Sequence, residues 1–131
     1  MRRMVAFVQP FLRVACYSFL MKKIRDISLN ALPILLMIGL IPLVANDYLL
    51  SFLFILIIII SLTIHRAPLD LTALILGAVL MTPAEYLFVS TGVETFTRNS
   101  LLGVMPLWLP ILWAYGFVAM KRITYILGRK R

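Results

Sequence analysis

Tyr48-Leu49-Leu50-Ser51-Phe52-Leu53-Phe54-Ile55-Leu56-Ile57-Ile58-Ile59-Ile60-Ser61-Leu62-Thr63-Ile64 is a run of 17 residues without a charge. Its β-branched stretch Ile57 to Ile60 would favour a strand in water. In hydrocarbon the backbone must satisfy its own hydrogen bonds, and a helix does so within one segment. At 1.5 Å per residue such a helix approaches the ~30 Å of a bilayer core. Working outward, comparable apolar segments run over residues 29–45, 69–90 and 101–120. The expected fold is all-α and integral to a membrane: a four-helix transmembrane bundle.

Composition agrees. The chain has 131 residues, 63% hydrophobic and 14% charged, far from the mix of a soluble domain. Four spans fill most of this length, so residues 1–131 read as a single membrane domain. The net charge of +8 is placed unevenly. With both termini cytoplasmic, twelve of the 13 basic residues lie inside, among them Arg66 and the basic tail 121–131, and Arg98 alone lies outside. This positive-inside bias predicts a multi-pass protein of the inner or plasma membrane, N-in and C-in. The basic clusters flank span ends, which suits anionic headgroups on the cytoplasmic side and argues against nucleic acid. Cys16 is the sole cysteine and His65 the sole histidine, so no intrachain disulfide and no His/Cys metal cluster is expected, and no cofactor.

Residues 1–25 allow three readings. A signal peptide ending near Val14-Ala15-Cys16 is disfavoured by Arg13 and by Lys22, Lys23 and Arg25 soon after. A fifth span would bury Arg13 near mid-bilayer, at about 2.5–3.5 kcal/mol on insertion scales. The favoured reading is an amphipathic helix in the cytoplasmic interface: Arg2, Ala6, Gln9 and Arg13 share a narrow face, with Leu20 an apolar exception on it.

Asn46-Asp47 joins the first two spans in a tight hairpin, and His65-Arg66-Ala67-Pro68 turns the second into the third. On the third span Asp70, Ala73, Gly77 and Ala84 fall within about 60° of one another. Small residues so placed let helices approach closely, against other spans of the chain or a second copy. The fourth span enters through Pro106-Leu107-Trp108-Leu109-Pro110. Trp108, Trp113 and Tyr125 suit headgroup-level anchoring, with ligand stacking as the alternative.

Five acidic residues are the main chemical lead. Asp26 sits among basic neighbours, Asp47 lies in the outer turn, and Asp70 favours the positive end of its helix. Glu85 is different: it falls about 24 Å along the third span from Leu69, just after Thr82-Pro83. A carboxylate there must be paired, protonated or facing water, which makes it a functional candidate. The structural alternatives are pairing with Arg98 or capping backbone freed by Pro83. In the polar loop 90–100, Glu94 and Arg98 form an i, i+4 pair if the loop is helical. Glu85, Glu94, Arg98 and Trp108 together outline a pocket for a polar headgroup or an amine.

Pro83-Ala84-Glu85-Tyr86, Gly92-Val93-Glu94 and Pro106-Leu107-Trp108-Leu109-Pro110-Ile111-Leu112-Trp113-Ala114 resemble a group of small bacterial inner-membrane proteins. In those, an acidic residue in one span precedes a Gly-containing turn and a P-x-W-L-P-x-x-W entrance to the last span. The likeness covers the C-terminal third and carries no established activity. Pro83-x-Glu85 followed by Leu87-Phe88 also resembles the P-x-E motif of small-subunit membrane lycopene cyclases, which have a second acidic residue where this chain has Tyr86.

The leading expectation is a non-enzymatic subunit, scaffold or lipid-binding partner of a membrane assembly, with a membrane protein or a second copy as partner. One alternative is a small oligomeric transporter that uses Glu85 as its coupling carboxylate. The other is a lipid- or isoprenoid-modifying enzyme with Glu85 and Glu94 in acid–base roles, without a nucleophile constellation or phosphate loop to support it.

Overall fold

The computed structural model describes the backbone of residues 2–129 and side chains from residue 16 onward. Four helices and no strand are present among the described residues: α1 (Arg2–Leu40), α2 (Asp47–Ile64), α3 (Asp70–Ser90) and α4 (Trp108–Gly128).

α1 departs from the expectation of an interfacial helix followed by a separate span. Its 39 residues form one helix, about 58 Å long at 1.5 Å per residue. The hydropathy break at Lys22-Lys23-Ile24-Arg25-Asp26 is no break in helix propensity, because between Pro10 and Pro33 the chain has neither Gly nor Pro. The polar face assigned to Arg2, Ala6, Gln9 and Arg13 lies outside the described side chains. α1 stops at Leu40, not at residue 45: Ile41 precedes Pro42, and a residue before proline disfavours the helical region.

α2 begins where Asn46 caps it, the Asn46 Oδ1 accepting from the backbone N–H groups of Tyr48 (3.0 Å) and Leu49 (3.2 Å). α4 begins seven residues later than the apolar segment suggested. Leu101 and Met105 pair across a tight turn in which Leu102 (φ 54°) and Gly103 (φ 72°) adopt left-handed backbone, and Pro106 follows. Those conformations exclude a helix, and apolar content alone did not reveal them. At its other end α4 runs past Met120 to Gly128, so Lys121 and Arg122 belong to the helix and not to a tail.

α4 is the centre of the bundle, packed against α3, α1 and α2, while α1 also meets α2. The core joins Met37, Leu50, Phe54 and Met105 to Trp108, Tyr115 and Val118. Gly77 of α3 lets that helix lie directly on α4: a Cβ there would stand 2.9 Å from both the Ala114 Cα and the Trp113 carbonyl oxygen. α2 and α3 are long and apolar enough to cross a membrane. α3 has the inverse of the polarity that water selects. Its buried residues are Asp70, Gly77 and Glu85, whereas Leu71, Ile75, Leu76, Val79, Leu80 and Leu87 face outward.

Candidate functional site

Polar side chains gather at both ends of the bundle. At the α2–α3 turn the centre is Asp70, the first residue of α3 and only 6% exposed. Lys121 Nζ donates to its Oδ1 at 2.6 Å. Arg122, 5% exposed, donates to Oδ2 from Nη2 at 2.6 Å and from Nε at 3.1 Å. Arg122 Nη1 donates to Ser61 Oγ at 3.1 Å, and Ser61 shares a 2.7 Å hydrogen bond with the Tyr115 hydroxyl. One guanidinium therefore joins α2, α3 and α4.

The same groups hold the turn. Arg122 Nη2 donates to the His65 carbonyl at 2.5 Å, Lys121 Nζ donates to the Pro68 carbonyl, and the Ala67 N–H donates to Asp70 Oδ2 at 3.2 Å. Leu69 sits in this turn with φ 65°, a left-handed conformation that costs a non-glycine residue about 1–2 kcal/mol. The surrounding bonds over-determine it.

At the opposite end Glu85 is 5% exposed, on the face of α3 that meets α4. The Trp113 indole N–H donates to Glu85 Oε1 at 2.7 Å, while Oε2 is buried without a hydrogen-bond partner among the described residues. Glu94, in the loop after α3, lies close enough for the two carboxyl groups to interact. Neither structural expectation for Glu85 is met: it does not pair with Arg98, and its hydrogen bond goes to an indole rather than to backbone freed by Pro83.

Arg98 instead donates to the Val44 carbonyl at 2.9 Å and to Asp47 Oδ1 at 3.4 Å. Ser100 Oγ donates to Asp47 Oδ2 at 2.7 Å and accepts from the Leu107 N–H at 2.9 Å. The expected Glu94–Arg98 pair does not form, because residues 92–99 are not helical, Gly92 (φ 75°) turning the chain out of α3. Asp47 is thus the buried point to which the loop is tied.

The four residues expected in one pocket fall into two pairs. Glu85 and Glu94 lie together beside Trp113. Arg98 and Trp108 line a separate cavity of about 240 Å³ with Phe96, Thr97 and Pro106. Trp108 is a core residue and not a headgroup anchor: its ring meets Phe54 edge-to-face at 6.3 Å, and its Nε1 is buried without a partner among the described residues. Trp113 is half-buried over Glu85, and Tyr125 alone of the three aromatics is exposed.

Sequence reasoning missed the Asp70–Arg122–Ser61–Tyr115 network. A signal was there: with short turns, the start of the third apolar segment and the end of the fourth lie at one end of a bundle, so Asp70 faces Lys121 and Arg122 across it. Among the described residues no group of three or more His, Cys, Asp or Glu gathers as a metal site. Compared with known protein families, curated proteins and solved structures, the chain matches none.

Proposed function

We propose that this is a four-span protein of the inner or plasma membrane, both termini cytoplasmic, acting as a non-enzymatic, lipid-binding subunit or scaffold of a membrane assembly. One observation carries the reading: α3 buries Asp70, Gly77 and Glu85 and turns Leu71, Ile75, Leu76, Val79, Leu80 and Leu87 outward. Such a helix is favourable when its surroundings are hydrocarbon and the bundle interior supplies the polar partners. The basic residues Lys22, Lys23, Arg66, Lys121, Arg122 and Arg129 then lie at the cytoplasmic headgroups.

The polar networks favour a subunit over a catalyst. Asp47, Asp70 and Arg122 spend their hydrogen bonds joining helices and loops. The test is purification of the tagged chain from native membranes in mild detergent, with mass spectrometry of what accompanies it. A stoichiometric partner protein or one enriched lipid is expected. A chain that carries neither would contradict the proposal.

A second reading rests on the buried Glu85 carboxylate, whose Oε2 has no hydrogen-bond partner among the described residues and whose neighbour is Glu94. A buried carboxylate with an unused oxygen is the feature a proton- or cation-coupled transporter needs at its coupling residue. On this reading Glu85→Gln abolishes uptake in reconstituted vesicles while protein abundance stays normal. A fall in abundance alone would make Glu85 structural.

A further inference from the structure

Tyr125, 73% exposed near the end of α4, stands with Ile126 between two cavities. One, of about 340 Å³ between α1 and α4, is lined by Lys22, Lys23 and Arg129. The other, of about 350 Å³ beside the α2–α3 turn, is lined by Arg66, Lys121 and Arg122. Lys23 is engaged with the Leu127 carbonyl at 3.0 Å, and Lys121 and Arg122 share Asp70. Lys22, Arg66 and Arg129 have no acidic partner among the described residues. The one acid in the first cavity, Asp26, is already paired with Arg25 at 3.5 Å.

Each cavity therefore keeps unspent positive charge, and the two share a wall. Above Lys22 on the same stripe of α1, Leu29, Leu32 and Leu36 are exposed and continue along the helix for about 20 Å. We infer that this double groove holds a lipid headgroup carrying two phosphates, one on each side of Tyr125, with an acyl chain along the α1 leucines. Basic pockets between helices at the cytoplasmic side have the chemistry for such headgroups, and the apolar stripe selects a lipid over a free phosphate. The inference deepens the membrane reading proposed above and rests on it.

The test is native mass spectrometry of the full chain in neutral detergent. It is titrated with diphosphatidylglycerol, phosphatidylglycerol and phosphatidylcholine of matched acyl chains, and separately with inorganic pyrophosphate. One diphosphatidylglycerol is expected to bind most tightly. The Lys22→Gln/Arg129→Gln variant should weaken it about 10- to 30-fold. Arg2→Gln/Arg3→Gln removes the same charge about 20 residues earlier in the sequence and should change binding less than about 3-fold. Equal weakening by both variants, no preference among the lipids, or equally tight binding of pyrophosphate would each overturn the inference. Labelling of a cysteine at position 66 separates the failures. A label reached only from inside, with no lipid preference, removes the groove assignment alone; a label reached from outside removes the membrane orientation.

Discussion

Arg122 is the side chain whose loss would be felt most widely. Arg122→Leu strands the Asp70 carboxylate with Lys121 as its one remaining cation among the described residues and leaves Ser61 without its charged donor. Breaking one side of a buried pair leaves an uncompensated charge, so a cost of about 2–3 kcal/mol is expected in a denaturant titration in micelles. Adding Asp70→Asn removes that charge while Lys121 turns to solvent. The double variant should therefore be more stable than the sum of the single costs by about 1–2 kcal/mol. Strict additivity would mean that the two groups act independently. At Glu85 the order of effects is the test. Glu85→Gln keeps an acceptor for the Trp113 indole and should cost about 1 kcal/mol or less. Trp113→Phe removes the donor from a buried carboxylate and should cost more, about 2–3 kcal/mol. The reverse order would show that Trp113 does not support Glu85.

At the scale of elements, the α3–α4 contact depends on the absence of one methyl group. A Cβ at Gly77 meets backbone atoms of Trp113 and Ala114 at 2.9 Å, and backbone cannot rotate aside. Gly77→Ala should cost about 1–3 kcal/mol in the same titration. Gly39→Ala, in α1 with nothing within 4 Å of the new Cβ, should be neutral or stabilise by about 0.5–1 kcal/mol. Equal effects at both positions would remove the close approach as an explanation. The α2–α3 turn follows the same logic in reverse: Leu69 holds a left-handed backbone because Lys121, Arg122 and Asp70 bind the residues before it.

The whole molecule was legible in proportion to how local each signal is. α2, a continuous uncharged run between an Asn cap and a proline-containing turn, has nearly the bounds that hydropathy suggests. α1 reads as two pieces in hydropathy because charge interrupts hydropathy without interrupting helix propensity. Hydropathy does not locate the start of α4, because Leu101, Leu102, Val104 and Met105 are apolar residues in a turn, where backbone conformation decides and composition is silent. Glu85 stood out because a lone carboxylate in an apolar segment is visible in one dimension. Its donor Trp113 was not, since it lies 28 residues away on another helix. Likewise Asp70 and Arg122, 52 residues apart, meet only through the fold. On the membrane account these long-range polar contacts are the interior, and the exposed leucines and isoleucines of α1, α2 and α3 are the lipid face.

The most direct test of that account is accessibility labelling in intact cells, with single cysteines at positions 94 and 66 in a Cys16→Ala background. The account predicts that a membrane-impermeant thiol reagent labels position 94 from outside, and position 66 only after the membrane is opened. Labelling of both positions in intact cells, or of position 66 alone, would contradict it.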